Sequence, residues 1–251
     1  MTEAMEMRAH RVQRAERRAA RLLHVAAPAG AEPIAVTLRR NPRARRLMLS
    51  IDPSDSCPAL VIPPFVSVGE AQAFLDSRRD WLIRRLAALP ARIAFTHGAM
   101  IPFRGATLSL CHRPDRRGAP WQEGDVLVVT GDARHLARRT TDWLKRRAME
   151  DFAARAAAKA ALLDHRAPRV AVRDPKRQWG SCSNDGTLRL SWRLILAPEQ
   201  VIDYVVAHEV AHLSEMNHGR AFWAIVARLT PHMATARIWL RRHGAGLLRY
   251  G

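Results

Sequence analysis

Cysteine is scarce in this chain. Among its 251 residues there are three cysteines, Cys57, Cys111 and Cys182, which lie far apart and include no CxxC pair. Such spacing does not suit a zinc site made of cysteine thiolates, because those sites draw their ligands from closely spaced pairs. An odd and sparse cysteine count is also typical of a reducing compartment.

Long apolar runs are missing as well. No stretch approaches the roughly 20 apolar residues that a membrane-spanning helix needs, and the N-terminus lacks the apolar core of a secretory signal. We therefore predict a cytoplasmic protein without a membrane partner.

Lysine is nearly absent although the chain is strongly basic. Only Lys145, Lys159 and Lys176 are lysines among 41 lysine and arginine residues, and the net charge is +18. Arginine grips phosphates and carboxylates through paired hydrogen bonds, which favours an anionic partner such as a nucleotide, a nucleic acid or an acidic surface. The alternative is a compositional bias toward arginine and alanine with solvated charges, because the arginines are spread along the whole chain.

Hydrophobic periodicity divides the chain into three regions. Residues 1–32 are basic and helix-prone, and we expect a poorly ordered arm there. Residues 33–133 show short alternating strand patterns and one helix, which Ser67 caps and Pro90 ends. Residues 134–251 combine helical and strand patterns, so we predict an α+β fold with a β-rich N-terminal region.

The elements of the last region follow from the same periodicity. They are a helix over roughly 134–165, strands at Arg169–Arg173 and Thr187–Trp192, a helix from Pro198 to about Met216, a helix over roughly 220–229, and a last helix that follows Pro231 and fades near Gly244.

The central motif is His208-Glu209-Val210-Ala211-His212, on the helix that Pro198 opens. Residues four apart project from one face of a helix, so both imidazoles can reach a single metal ion. Glu209 can then accept a proton from an activated water and pass it to the leaving group. The alternative is two core histidines that are hydrogen-bonded to neighbours. It would bury two titratable rings and a carboxylate, which costs free energy, for no function. The motif therefore predicts a zinc-dependent hydrolase.

A third ligand must come from outside the helical pair, because a catalytic zinc ion usually has three protein ligands and one open position. His218 is the best third ligand if the helix stops before it, since a continuing helix would point its ring away; otherwise it is a surface turn residue. Asn217 and Gly219 tolerate left-handed backbone, which favours a stop there. Glu215 competes as a ligand, or orients a ligand histidine. Imidazoles favour one zinc ion, although manganese and nickel also accept them.

Two stretches resemble the YgjP-like zincin metallopeptidases, which are related to the WLM and SprT-like metallopeptidases. The first, His208–Trp223, reads HEVAHLSEMNHGRAFW, and the second runs from Arg173 to His212. A weaker similarity includes Arg45-Arg46-Leu47 and Trp81-Leu82, so the resemblance covers roughly residues 36–247.

The resemblance implies a zincin fold, in which the helix with the first two ligands packs on a small sheet and the third ligand follows a turn. It implies that His208, His212 and His218 bind zinc, that Glu209 is the catalytic acid and base, and that residues 134–251 form the metal-binding catalytic region. The metzincin glycine expected three residues after His212 is Glu215 here, which argues against a true metzincin.

The Trp179-Gly180-Ser181-Cys182 loop is similar to one that lies beside the site in this family, without an assigned chemical step. Cys182 is either a ligand or switch thiol, or a small residue that packs among apolar neighbours.

The leading hypothesis is a metallopeptidase that acts on a peptide or protein. Zinc would polarise the peptide carbonyl, Glu209 would deprotonate the water, and the strand Thr187–Trp192 could pair with an extended substrate. The residues that could steady the oxyanion are Arg177, Arg193, Tyr204 and His232.

Two alternatives keep the same metal site. The first is a pyrophosphatase-like nucleotide phosphohydrolase, because a fold does not fix the bond that is cleaved and the arginine excess suits phosphates. The second is a protease recruited to DNA, as the SprT-like relatives suggest, although the sequence has no zinc finger, helix-turn-helix or aromatic-basic RNA motif.

Overall fold

The computed structural model of the chain describes residues 21–28, 30–52 and 54–251. Two compact units make up the chain, and the division falls between Leu89 and Pro90. Most of the predicted N-terminal arm, residues 1–20, lies outside the described residues. No helix in the described ranges has the length and apolar character that crossing a bilayer requires.

The first unit is a four-stranded sheet with two helices. Its elements are β1 (Arg21–Val25), β2 (Ile34–Arg40), β3 (Met48–Asp52), β4 (Cys57–Ile62), α1 (Val68–Ser77) and α2 (Arg79–Ala87). The strand order is β1-β2-β4-β3, with β2 parallel to β4 and the other pairs antiparallel. Val36 and Leu60 from the sheet and Leu75 and Leu82 from the helices share one buried cluster.

The end of the predicted arm differs from expectation. Arg21–Val25, expected to be helix-prone, forms strand β1 and pairs with β2. Leu23 and Val25 are buried while their neighbours in the strand are exposed. An alternating pattern of this kind buries its apolar side chains only in an extended conformation, so sheet pairing overrides the local helix propensity.

The single helix predicted for this region is two helices that meet at Arg78. Ser67 caps the first as predicted, and Ser67 and Glu70 complete a capping box. At the break, the Ser77 hydroxyl donates to the Phe74 carbonyl. The last turn tightens as a result, because side-chain and backbone donors compete for the same carbonyls.

The second unit has two sheets, four α-helices and two short 3-10 helices, Ala133–His135 and Trp192–Leu196. The first sheet contains β5 (Met100–Phe103), β6 (Ala106–Arg113), β7 (Trp121–Glu123) and β8 (Val126–Thr130), in the order β5-β6-β8-β7. The second contains β9 (Val170–Arg173), β10 (Gly180–Cys182) and β11 (Leu188–Ser191), in the order β10-β11-β9. The helices are α3 (Leu136–Ala161), α4 (Glu199–Ala211), α5 (Arg220–Leu229) and α6 (Met233–Leu247).

One core serves the whole second unit. Leu110 and Leu127 of the first sheet, Phe152 of α3 and Leu190 of the second sheet belong to the same buried cluster. The predicted boundary between residues 133 and 134 therefore falls inside one folded unit, because the strands before it pack against the helix after it.

Helix α4 packs on β10 and β11 and against α3. A helix on a small sheet is the arrangement expected of a zincin-like core, and the predicted α+β class is confirmed. Strands β9 and β11 lie at the two predicted positions, whereas β10 was not predicted, because three residues are too few for an alternating pattern.

A buried ion pair joins α3 to α4. The Lys159 side chain is 10% exposed, and its Nζ lies 2.7 Å from Asp203 Oδ1 and 2.8 Å from the Leu229 carbonyl oxygen. The Thr230 hydroxyl donates to Asp203 Oδ2. Burial alone would raise the pKa of Asp203. The hydrogen bonds from Lys159 and Thr230, together with the positive charge of Lys159, hold that pKa below its ordinary value.

We predict that Asp203→Asn destabilises the fold by about 3 kcal/mol at neutral pH, because it leaves the Lys159 ammonium buried without a carboxylate. A carboxyl whose pKa is lower in the folded than in the unfolded state stabilises the fold above the unfolded pKa, and this contribution is lost as the pH falls through the folded pKa. The urea unfolding curves of wild type and variant should therefore begin to converge as the pH falls below about 4, and meet below the folded pKa of Asp203.

The control for this prediction is Asp142→Asn, which breaks the exposed Arg138–Asp142 pair on α3, the helix that carries Lys159. It should change the free energy of unfolding by less than about 1 kcal/mol. A difference between wild type and Asp203→Asn that stays constant from neutral to acid pH would contradict the proposed role of the ion pair.

Candidate metal centre

Helix α4 carries a polar face on an otherwise buried helix. Val206 and Val210 are fully buried in the core. Tyr204, His208 and His212 recur every four residues and therefore share one face, where His208 and His212 keep partial exposure. The apolar positions thus fix the rotation of the helix, and that rotation presents the histidines.

The three predicted ligand histidines converge. The ring nitrogens of His208, His212 and His218 that can bind a metal lie within 4.8 Å of one another. Nε2 of His208 and Nε2 of His218 are 3.1 Å apart. Two nitrogen ligands of a tetrahedral zinc ion lie about 3.3 Å apart, since each Zn–N distance is about 2.0–2.1 Å. The spacing of these two nitrogens therefore suits a single bound ion.

The turn that carries His218 back to the helical pair differs from the predicted one. Helix α4 ends at Ala211, earlier than predicted, and neither Asn217 nor Gly219 has a positive φ. Instead, Glu215 Oε1 accepts a hydrogen bond from the Asn217 N–H at 3.0 Å. A bond from side chain to backbone, rather than a left-handed residue, supports the reversal of the chain.

Glu215 also orients His212, but through its backbone. Nδ1 of His212 lies 3.0 Å from the Glu215 carbonyl oxygen. Because a carbonyl can only accept, Nδ1 carries the proton and Nε2 keeps its lone pair for a metal. The Glu215 carboxylate is outside the cluster of ligand atoms, so Glu215 has the contact of an orienting residue and not the position of a ligand.

A buried phenylalanine packs against all three imidazoles. The Phe222 ring centroid lies 4.9, 4.5 and 4.6 Å from those of His208, His212 and His218, and Phe222 is fully buried. The Trp223 ring lies 5.7 Å from His208 and 5.8 Å from His218. Packing of this kind limits the rotation of the ligand rings. Sequence reasoning gave these two aromatic residues no role, although both lie in the first turn of the helix that follows His218.

Burial favours the neutral forms of His208 and His212. Burial and the neighbouring His212 and His218 lower the pKa of His208 to about 4, and burial lowers the pKa of His212. The neutral imidazole is the form that binds a metal. In the described part of the chain, the buried Nδ1 of His208 has no hydrogen-bond partner. Three imidazoles form a donor set that fits a divalent ion such as zinc.

Glu209 is a buried carboxylate beside this cluster. Its exposed fraction is 5%, and burial raises its pKa to about 8, an effect that a nearby cation would oppose. Gly180 of β10 lies directly against it, because a Cβ added at Gly180 would be 2.5 Å from Glu209 Oε1. Only glycine allows the strand to approach the carboxylate this closely. This contact explains why a glycine stands in the Trp179–Cys182 segment, which the sequence alone did not reveal.

A cleft of about 370 Å³ opens beside His208 and Glu209. Helix α4 contributes Tyr204 to its wall, and helix α6 contributes Arg237 and Arg241. Sequence reasoning missed both arginines, because α6 follows the motif and only the tertiary fold brings it to the site.

The predicted oxyanion donors are placed differently from one another. Tyr204 lines the cleft, whereas Arg177 is exposed and His232 lies before the first turn of α6, and neither is among the lining residues. Arg193 is buried, with its Nε 2.7 Å from Asp174 Oδ1. Its Nη1 atom also donates to the carbonyls of the C-terminal segment, so its hydrogen-bonding capacity is used within the fold.

Two further expectations concern the small sheet. Strand β11, predicted to receive a peptide substrate, lies in the middle of the sheet between β10 and β9. Its backbone groups are already paired on both sides, so it offers no free edge. Cys182 packs against the core and lies outside the histidine cluster, and burial raises the pKa of its thiol.

Comparisons with known proteins agree with the sequence motifs. A family model described as YgjP-like, metallopeptidase domain, matches residues 45–243 and confirms the resemblance seen in the sequence. No curated protein gives a significant match.

Two solved structures are similar to part of the chain. One is the metallopeptidase zymogen abylysin of Pyrococcus abyssi, with 25% identity and a TM-score of 0.32, covering 37% of this chain and 93% of that one. The other is the metallopeptidase zymogen jannalysin of Methanocaldococcus jannaschii, with 17% identity and a TM-score of 0.33, covering 38% and 94%.

We predict that the purified chain binds one divalent ion and that His218→Ala weakens this binding by more than about 100-fold, because it removes a ligand. Phe222→Leu should weaken it by about 10-fold, since the ligand rings lose the side chain that orients them. Calorimetric titration with zinc against a competing chelator measures both effects. His232→Ala is the control, and wild-type zinc affinity in His218→Ala would show that the cluster is not the binding site.

Proposed function

We propose that this chain, which belongs to the YgjP-like metallopeptidase family, is a zinc peptidase whose ion is held by His208, His212 and His218. Family membership makes it a metal-dependent hydrolase. The observation that carries the site assignment is the convergence of three imidazoles beside a buried carboxylate. When bound, a zinc ion supplies a Lewis acid that polarises a carbonyl and makes water more acidic.

Glu209 serves as the general base and acid in this proposal. Its carboxylate lines the cleft, and Gly180 lies against it from the side of β10. A base works best when its pKa is close to the working pH, and burial moves Glu209 in that direction. Glu209 therefore takes a proton from water as the water attacks the carbonyl carbon, and gives a proton to the amine that leaves.

Tyr204 is the proposed donor to the oxyanion. It lines the cleft one helical turn before His208. Burial raises the pKa of its phenol, although the charge of Arg237 opposes the change. The hydroxyl therefore keeps its proton at neutral pH and can donate a hydrogen bond to the developing charge.

The edge strand β10 takes the role that β11 cannot fill. It lies at the edge of the small sheet, and its first residue, Gly180, contacts Glu209. An extended peptide that adds to this edge would run past the carboxylate with its backbone hydrogen-bonded to the sheet.

The nucleotide phosphohydrolase remains a second candidate because Arg237 and Arg241 line the same cleft, and arginine pairs bind phosphate as well as carboxylate. Family membership favours the peptidase. Neither the family nor the lining residues of the cleft favour a nucleic-acid partner.

We predict that the zinc-loaded chain cleaves a denatured protein and that Glu209→Gln lowers the rate by about 10²–10⁴-fold, because the proton acceptor is lost. Zinc content and the circular dichroism spectrum should stay unchanged in the variant. A panel of nucleoside triphosphates, tested with and without chelator, separates the two candidates. Hydrolysis of a triphosphate without peptide cleavage would reject the peptidase, and full activity in Glu209→Gln would reject both.

A second prediction concerns Gly180→Ala. The added Cβ would displace the Glu209 carboxylate, and a misplacement of about 1 Å can lower a rate by about 100-fold. Zinc affinity should remain near that of the wild type, because the ligand rings are not touched. The matched control is Gly246→Ala in α6, where an added Cβ meets nothing within 4 Å. Equal peptidase activity in the two variants would show that the contact between Gly180 and Glu209 does not position the carboxylate.

A further inference from the structure

We propose that Arg237 and Arg241 form an anion-binding wall that selects peptides with an aspartate or glutamate side chain next to the scissile bond. This inference rests on the proposed peptidase function, since it concerns the substrate of the same cleft. It adds the chemical class of that substrate, which neither the motif nor the family membership assigns.

Helical spacing places the wall. Arg237, Leu240 and Arg241 are separated by three and four residues, so they share one face of α6. All three line the cleft that His208 and Glu209 also line. A group held by the arginines is therefore in the same cavity as the reacting carbonyl.

The two guanidinium groups are available for a ligand. In the described part of the chain, neither Arg237 nor Arg241 has a carboxylate within ion-pair distance. By contrast, Arg104, Arg155 and Arg193 each have at least one. The wall is thus made of arginines whose charge the fold does not neutralise.

Arg237 is held in place without using its hydrogen-bond donors. Its guanidinium lies over the Trp223 ring, with Cζ 5.3 Å from the ring centroid. Stacking of this kind orients the plane of the group and leaves the N–H groups at its edge free for a planar anion.

The rest of the cleft decides which anion fits. Leu240, Val205 and Trp179 supply apolar wall, and Glu209 is the one acidic lining residue. An aspartate or glutamate side chain combines a short apolar stem with a carboxylate that two arginines can grip. A phosphate has the charge but no apolar stem, so the cleft favours an acidic side chain.

The first test uses cleavage sites. The wild-type enzyme digests a denatured protein, and mass spectrometry maps the sites. Aspartate and glutamate should exceed asparagine and glutamine at one fixed position by about tenfold, the effect of one charge-assisted contact. The double variant Arg237→Gln/Arg241→Gln should lose this preference and still cleave neutral sites. Arg242→Gln, on the same helix but outside the cleft lining, should keep it.

A charge reversal separates recognition from structural support. Arg241→Glu should shift the preference toward lysine and arginine at the same position, which a merely destabilised helix would not do. An unchanged preference in both Arg241→Glu and the double variant would overturn the proposal.

The second test measures binding and does not need turnover. Zinc-loaded Glu209→Gln is titrated with a fluorescent peptide that contains one glutamate and with its glutamine counterpart, each with a free or an amidated C-terminus. The glutamate peptide should bind about tenfold more tightly, and Arg237→Gln/Arg241→Gln should abolish the difference. A preference that follows the free C-terminus instead would overturn the assignment to a side chain.

The two proposals fail in different ways. Absence of peptide cleavage by the wild type would reject the peptidase, and the binding test would still decide on the wall. Cleavage without acidic preference would reject the wall alone. Tighter binding of a nucleoside triphosphate than of the acidic peptide, lost in the double variant, would assign the wall to phosphate and overturn the proposal.

Discussion

Helix α4 has to bury its apolar face while it keeps His208 and Glu209 at a cleft. Both requirements are met by one rotation of the helix, because Val206 and Val210, which enter the core, lie on another face than His208 and His212. The Lys159–Asp203 pair fixes the helix against α3, and β10 and β11 hold its other side. These contacts favour the rotation that presents the imidazoles at the cleft, and the fold retains a buried carboxylate whose pKa burial raises.

Apolar residues set the position of the polar residues of the site. Phe222 packs on all three imidazoles, and Gly180 determines how closely β10 approaches Glu209. Gly244 has the same function on the other wall, because a Cβ there would come within 3.0 Å of the Trp179 ring. The positions of the imidazoles and the carboxylate therefore depend on the large side chain of Phe222 and on two glycines, Gly180 and Gly244, that have no Cβ.

Local spacing was enough to predict part of this site, and long-range packing decided the rest. The four-residue period predicted that His208 and His212 share a face. In the first unit, local sequence also placed Ser67 correctly as a helix cap. The sequence did not reveal that Glu215 supports the turn, where Asn217 and Gly219 were expected to turn left-handed, because the bond depends on the path of the backbone. Gly180 and Arg237 reach the site only through tertiary contacts.

The net charge of +18 combines arginines with different physical roles. Arg193 is buried against Asp174 and the carbonyls of the C-terminal segment, so its charge is satisfied within the fold. Arg237 and Arg241 line a cavity, and neither has an ion-pair partner among the described residues. A count of charges treats these residues alike. The affinity for an anionic partner depends instead on which arginine side chains have no carboxylate partner within the fold. The excess of arginine is therefore informative about a partner only where an arginine without a carboxylate partner lines a cavity, as Arg237 and Arg241 do.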